Sequence, residues 1–329
     1  MGEPMPHSTK VELRNGVLVT QLGLGTAPLA GLFSSVSQEE GQATVDAALG
    51  MGINYLDTAP HYGKGTAERR LGKYLQNYPR NSFVLSTKVG RLLVPTINST
   101  DPDFEDADQS VDRVFDFSES GIFRSLEESL ERLNQSSVEM VLIHDPDDYA
   151  DAAITQAYPA LEKLRAQGVI KLIGIGMNQS AIPTRFVNET DIDFVLIAGR
   201  YTLLDQSATF DLLPAAVERG VDVIAAGVFN SGILANAKPG ATYDYAPASS
   251  EILARAQQLE AILGQFDVKL EEAAIQFPLR HPAVKVVLTG CRSASEVQAN
   301  IDAFDAPIPN QAWQAIDEFL GIQREGGEK

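Results

Sequence analysis

Short apolar runs of strand length alternate along this chain with longer stretches whose apolar residues recur every three or four positions. That alternation is the pattern of repeated βα units. Strands are expected near Leu22, Tyr55, Val84, Met140, Ile170, Phe194, Val221 and Val284, eight in all, and helices over 38–51, 67–78, 121–133, 154–167, 181–188, 212–220 and 251–266. Apolar segments at 11–13 and 17–20 flank Asn15-Gly16, a dipeptide suited to the tight turn of a hairpin. Near the end, Trp313, Ile316, Phe319 and Leu320 recur at helical spacing within 310–323, which reads as a helix packed on the rest. Eight parallel strands joined by right-handed helical crossovers close into a barrel. The expected architecture is therefore α/β: a (β/α)8 TIM barrel with an N-terminal β-hairpin and a C-terminal helix. With 329 residues, 44% of them hydrophobic, the chain can form it as one domain over 1–329, with 1–9 and 324–329 expected to be disordered.

Two long connections break the rhythm. Residues 89–118 hold seven acids between Asp101 and Asp116 against one Arg, and residues 227–250 are rich in Gly, Ala, Asn and Pro. Connections of this length in a compact barrel are usually functional or mobile. Both should emerge on the carboxyl side of the strands, as walls over a substrate.

Composition narrows the partners. Lys plus Arg number 26 against 44 Asp plus Glu, a formal net charge of −18. A nucleic-acid backbone is held by clustered Lys and Arg, so no nucleic acid is expected. No apolar run reaches the ~20 residues of a bilayer span and the N-terminus lacks an apolar signal core, so no membrane is expected either. One cysteine cannot form an internal disulfide, which makes a reducing cytoplasm the expected compartment.

Four segments that end apolar runs carry the candidate chemistry: Asn54-Tyr55-Leu56-Asp57-Thr58-Ala59-Pro60-His61-Tyr62-Gly63, Ser86-Thr87-Lys88, Leu142-Ile143-His144-Asp145 and Leu288-Thr289-Gly290-Cys291-Arg292. An Asp, a Tyr, a Lys and a His spread over 57–144 act together only if the fold gathers strand ends, as a parallel barrel does. A tyrosine with its ordinary pKa of ~10 is a poor base at neutral pH, and an ammonium beside it lowers that pKa. Asp57 would hold Lys88, Lys88 would favour the Tyr62 phenolate, and His144 would orient a substrate oxygen while Tyr62 exchanges a proton with it. That is a carbonyl/alcohol redox site. His144, Asp145, Asp147 and Asp148 also have the residue types of a metal site, but Pro146 interrupts them and no further His follows at ligand spacing. No metal is expected, and Cys291, with no adjoining base, is not expected to be a nucleophile.

On the Asp57-Thr58-Ala59-Pro60-His61-Tyr62-Gly63 segment, with Lys88 and His144 following in order, the chain resembles the aldo-keto reductases from about Leu22 to about Ala303. The resemblance implies that Asp57, Tyr62, Lys88 and His144 form the catalytic tetrad. It also implies a nicotinamide dinucleotide extended across the carboxyl face of the barrel, without a Gly-x-Gly-x-x-Gly turn. Gly227, Phe229, Ser231, Gly232 and Leu234 match the loop that straddles the pyrophosphate. Gly290, Arg292, Glu296 and Asn300 match the adenosine-binding loop and helix start, where backbone N–H groups meet an anion. Asn178 matches the residue that binds the nicotinamide amide, and His61, Arg200 and Tyr201 are expected to face cofactor or substrate.

Two departures from the family pattern bear on the cofactor. Ala198 stands where many relatives have a Gln on the nicotinamide, and Glu296 stands where NADPH-specific relatives have an Arg, four residues before Asn300. A carboxylate repels a 2′-phosphate and accepts a hydrogen bond from a free 2′-hydroxyl. NAD is therefore the expected cofactor, with NADP the alternative. The runs Thr87-Lys88-Val89-Gly90-Arg91, Gly199-Arg200-Tyr201-Thr202-Leu203-Leu204 and Gly227-Val228-Phe229-Asn230-Ser231-Gly232 resemble the branch that oxidises sugars at carbon 1, the D-threo-aldose or L-fucose dehydrogenases, with L-galactose and pyridoxal 4-dehydrogenases nearby. The expected reaction is oxidation of the C1 hydroxyl of a cyclic hemiacetal sugar to a lactone, with Tyr62 as general base. The alternatives are pyridoxal oxidation to 4-pyridoxolactone, NADPH-dependent aldehyde reduction, and a nucleotide-sensing module like the subunits that accompany potassium channels. The partner expected is a small molecule, and the oligomeric state is open.

Overall fold

The computed structural model describes residues 6–322. Eight parallel strands close into a barrel in chain order: β1 (Leu22–Gly25), β2 (Tyr55–Asp57), β3 (Val84–Val89), β4 (Met140–His144), β5 (Leu172–Met177), β6 (Phe194–Ala198), β7 (Asp222–Ala226) and β8 (Val284–Gly290). Around them lie α1 (Gln38–Gly50), α2 (Thr66–Tyr74), α3 (Glu119–Leu133), α4 (Tyr158–Ala166), α5 (Ala181–Glu189), α6 (Leu212–Arg219), α7 (Ser250–Gly264), α8 (Leu270–Gln276), α9 (Ala294–Asp305) and α10 (Asn310–Leu320). Every strand expected from an apolar run is present, and the expected (β/α)8 barrel is the observed one.

Burial on both faces explains why the strands read as apolar runs rather than as alternations. On β4, Met140 and Leu142 point into the barrel, while Val141 and Ile143 pack against the helices. Tyr55, Leu172, Phe194, Leu196, Ile224, Val286 and Leu288 complete the interior. Its amino end is filled by Leu13, Val17 and Val19 of the hairpin Lys10–Leu13/Val17–Thr20. The hairpin turns at Asn15 (φ 56°) and Gly16 (φ 75°), as Asn-Gly should. Gly174 has a packing duty: a Cβ there would lie 2.6 Å from the Phe194 ring.

Helix ends follow local chemistry. Ser37 and Glu40 form a reciprocal capping box on α1, and Ser118, Ser249 and Ser293 each accept a backbone N–H at the starts of α3, α7 and α9. The helix expected over 154–167 is regular only from Tyr158, because a π-turn occupies Ala153–Ala157. α8, with seven residues, falls outside the expected set, and α9, with twelve, was expected only through its start, which the resemblance implied.

The segment 89–118 is not an open loop. It folds as an antiparallel hairpin, Arg91–Pro95 against Val111–Phe115, and most of its acids hold it down. Arg70 and Ser35 bind Asp106, Arg69 binds Asp108, and Arg113 binds Asp101 and the His61 carbonyl. Lys64, fully buried, bonds Ser99 and the Thr100 carbonyl and lies 3.5 Å from Asp112. The segment 227–250 holds a short turn at Asn230–Gly232 and a small hairpin, Thr242–Tyr243 with Ala246–Pro247.

The disorder expected for 1–9 is corrected at its inner end. The His7 backbone N–H donates to Asp305, and its ring bonds Asp305 and the Met51 carbonyl, at 2.6, 2.7 and 2.8 Å. The disorder expected for 324–329 lies outside the described residues. Among the described residues no helix is long and apolar enough to cross a membrane.

Candidate active site

The carboxyl ends of β2, β3 and β4 bring Asp57, Lys88 and His144 together, and the turn after β2 adds Tyr62. Lys88 Nζ donates to Asp57 Oδ2 at 2.6 Å, to the Thr58 carbonyl at 2.9 Å and to Tyr62 Oη at 3.0 Å. Its three N–H groups are thereby all used. Behind Asp57, Ser86 donates to Oδ1 at 2.6 Å, and Tyr55 in turn donates to Ser86 Oγ at 2.9 Å. One continuous chain therefore runs Tyr55, Ser86, Asp57, Lys88, Tyr62, from the barrel interior to the open end. Asp57 and Lys88 are each 1% exposed, so the pair is fixed and dry.

The Tyr62 phenol is pushed well above its ordinary pKa of 10.0, first by burial and then by the negative charge of Asp57, with Arg91 acting in the opposite sense. This overturns the expectation of a lowered value. Asp57 balances Lys88, so the pair gives a partly buried phenolate little net positive charge to offset the hydration it loses.

His144 stands edge-on to Tyr62 with ring centres 5.9 Å apart, and to His61 at 5.5 Å. Its Nε2 lies 3.4 Å from Asp145 Oδ2, whereas Nδ1 is buried without a hydrogen bond. Burial, followed by the positive charge of Arg91, holds His144 far below the usual imidazole range and His61 at about 2. Both rings are neutral at physiological pH. A proton on Nε2 of His144 would suit the carboxylate beside it.

Arg91 and Asp145 were not singled out as site residues from sequence. Arg91, at the start of the 91–95 strand, donates to Asp145 Oδ2 at 2.7 Å and contacts His61 Nδ1 at 3.2 Å. The signals were adjacency, three residues after Lys88 and one after His144, but nothing in the sequence joined them. Phe104, from the tip of the same hairpin segment, packs on His61 and Tyr62 at 5.7 and 6.1 Å. Farther out, Phe33 and Tyr245 stack across the opening at 5.9 Å, both with left-handed backbone (φ 67° and 64°). Bulky residues rarely adopt that conformation, and such strain concentrates at functional openings.

The residues expected at the cofactor are spread over the mouths of β5 to β8. Gly227 and Gly232 are exposed at the mouth of β7, and Asn230 and Ser231 (φ 45° and 59°) wind the turn between them. Phe229 is partly buried there. The Leu234 side chain lies wholly in the core, and its N–H donates to the Phe229 carbonyl. Gly290 and Arg292 are exposed at the end of β8, next to the start of α9. Arg292 bonds Glu296 through its backbone N–H, Nε and Nη2, at 2.8, 3.1 and 2.8 Å. Asn300 donates to Cys291 Sγ at 3.1 Å, and burial pushes that thiol up to about 12. Asn178 is exposed at the end of β5. Arg200 is a tie between connections: it bonds the Asn178 carbonyl, Asp205 and both oxygens of Asp244. Tyr201 is buried, with its ring packed against Phe277 and His281. Among the described residues no three His, Cys, Asp or Glu side chains converge as a metal site.

A buried Asp–Lys pair that ends on a partly buried Tyr beside a neutral imidazole, at the carboxyl end of a (β/α)8 barrel, suits proton exchange with a carbonyl or hydroxyl oxygen. The sequence pattern of the Aldo/keto reductase family matches residues 21–320, and the chain belongs to that family. It is therefore an oxidoreductase acting on CH–OH or carbonyl groups, in a family that uses nicotinamide cofactors. The chain is 42% identical to a D-threo-aldose 1-dehydrogenase from Pseudomonas sp, over 92% of this chain and 94% of that protein. It is 40% identical to a pyridoxal 4-dehydrogenase from Microbacterium luteolum, over the same shares. Among solved structures, the holo form of an aldo-keto reductase from Bacillus halodurans superposes with a TM-score of 0.76 at 27% identity, covering 94% of this chain and 96% of that one.

Proposed function

We propose that this protein is an NAD-dependent dehydrogenase that oxidises the C1 hydroxyl of a cyclic hemiacetal sugar, of the L-fucose or D-threo-aldose class, to the lactone. The observation that carries the reading is the Asp57–Lys88–Tyr62 chain ending beside His144 and the Arg91–Asp145 pair, a proton-handling centre in a polar, hydrogen-bonding pocket. The 42% identical aldose 1-dehydrogenase supports it.

In this reading His144 Nε2–H and Tyr62 Oη meet the C1 hydroxyl oxygen, and Tyr62 takes its proton as the C1–H bond breaks. The bound nicotinamide supplies the two-electron acceptor for the hydride. The hemiacetal loses one hydride and one proton and becomes a lactone, with no water consumed. Lys88 supports the phenolate with one N–H while Asp57 fixes its position. Because burial keeps the Tyr62 phenol protonated, it serves as a ready acid in the reducing direction and works as a base for oxidation under alkaline conditions.

The donor set at the mouths of β7 and β8 fits a dinucleotide. Gly227, Ser231 and Gly232 would lie along the pyrophosphate, and Gly290, Arg292 and the start of α9 would hold the adenosine. Glu296 already occupies Arg292, so a 2′-phosphate would have to displace a carboxylate from its cation, whereas a free 2′-hydroxyl would not. That is the argument for NAD over NADP.

Pyridoxal is the second reading, favoured by the relative at 40% identity, and its cyclic hemiacetal would undergo the same step. The test is a panel of L-fucose, D-arabinose, pyridoxal and simple alcohols with NAD and with NADP, read as NAD(P)H absorbance with rapid product analysis. Lactone released ahead of acid, faster with NAD, is expected. An acid appearing first where the lactone survives, or no turnover of sugar or pyridoxal, overturns the proposal.

A further inference from the structure

We propose that Asp145, held in place by Arg91, forms a subsite for the hydroxyl neighbouring the oxidised carbon, so that the enzyme selects ring sugars bearing that hydroxyl over hemiacetals that lack it. The inference rests on the hemiacetal reading above and adds what the pocket recognises.

The geometry is that of a carboxylate built to face a ligand. Asp145 directly follows His144 and has left-handed backbone (φ 40°), while its N–H is tied to the Gly176 carbonyl at 3.1 Å. Strained backbone fixed from a neighbouring strand marks a side chain whose direction matters. Oδ2 accepts from Arg91 Nη2 at 2.7 Å and lies 3.4 Å from His144 Nε2. Oδ1 carries no hydrogen bond, and 27% of the side chain remains exposed. The acceptor left over belongs to the carboxylate whose other oxygen lies beside the imidazole that would hold the reacting oxygen.

Arg91 makes the arrangement rigid. Its guanidinium is 13% exposed, joins Asp145 to His61, and rests on the Phe115 ring at 4.9 Å. A carboxylate so placed accepts from a hydroxyl, and the unused N–H groups of Arg91 can donate to the same oxygen. Donor and acceptor side by side suit a vicinal diol. The pocket would bind the C1 oxygen through Tyr62 and His144 and the adjacent C2 hydroxyl through Asp145.

Two probes isolate that hydroxyl, since 2-deoxy-D-ribose is D-arabinose without its C2 oxygen. With NAD saturating, the wild-type kcat/KM should favour D-arabinose by roughly 10- to 100-fold, the worth of one hydrogen bond to a charged group. Asp145→Asn should shrink that ratio severalfold or more, because the uncharged amide turns its oxygen to Arg91. Asn tolerates the left-handed backbone, so the fold is retained, and an unshifted melting temperature checks this. Arg91→Lys, which keeps the charge but loses the fork, should also lower the ratio. Equal use of the two probes by the wild type overturns the inference while leaving the hemiacetal reading intact. So does an Asp145→Asn variant with the wild-type ratio. Absence of NADH from both sugars overturns the proposed function and this inference with it.

Discussion

Replacing Asp57 with Asn keeps the shape of the side chain and removes its charge. Lys88 would keep its bonds to the Thr58 carbonyl and Tyr62, but as a cation 1% exposed with no counter-charge. Removing one partner of a buried pair typically costs ~3–5 kcal/mol, a large share of a total stability of ~5–15 kcal/mol. Lys88→Met should cost a similar amount, since Asp57 would be left buried with only the Ser86 hydroxyl as donor. The double variant buries neither charge. It recovers the desolvation of both groups and should lose much less than the sum of the singles, giving a coupling energy of at least ~2 kcal/mol. The assay is urea unfolding followed by far-ultraviolet circular dichroism and by the single tryptophan. Trp313 is buried, with the Arg280 guanidinium 4.4 Å from its ring centre, so its fluorescence should change on unfolding. Additive penalties, or a loss under ~1 kcal/mol for Asp57→Asn, would refute the view of a dry, mutually dependent pair.

Three further outcomes are expected. Ultraviolet difference titration of wild type against Tyr62→Phe should show no Tyr62 phenolate below pH ~10, because burial and Asp57 raise that pKa; ionisation near neutral pH would contradict it. Stability should fall as pH rises above ~10: Tyr55, Tyr62, Tyr74, Tyr78, Tyr158, Tyr243 and Tyr245 are all shifted upward, so the unfolded chain loses protons that the folded one retains. Urea midpoints measured from pH ~8 to ~11 check the sign. Glu296→Gln should free Arg292 for a 2′-phosphate and raise the NADP-to-NAD ratio of kcat/KM by about tenfold or more, while an unchanged ratio would assign discrimination elsewhere.

The barrel was legible because its evidence is local and repeated. Strands buried on both faces must be apolar throughout, so Met140-Val141-Leu142-Ile143 announces itself without knowledge of its neighbours. Asn15-Gly16 fixes its own turn. The set Asp57, Tyr62, Lys88 and His144 was readable because each member ends a strand or follows one, and a closed parallel barrel brings all strand ends to the same face.

Pairings between distant segments were not legible. The connection holding the acids of 101–116 read only as a functional or mobile wall over substrate, yet Arg69, Arg70 and Lys64 from the α2 region bind Asp108, Asp106 and the Ser99–Asp112 neighbourhood. Only the folded chain shows which of several cations each carboxylate meets. The burial of Leu234 and Tyr201 was not legible for the same reason: position within a loop does not say which way a side chain turns, and both turn into the core. The direction of the Tyr62 shift was decided last. Sequence supplied both the lysine that favours a phenolate and the Asp57 that holds it, whereas the balance of their charges and the burial around the phenol are properties of the assembled site. Residue types and strand ends thus follow from the sequence alone, through backbone periodicity and barrel closure. Charge balance, solvation and the Arg91–Asp145 contact depend on distances between segments far apart in the chain, and those exist only once the barrel has closed.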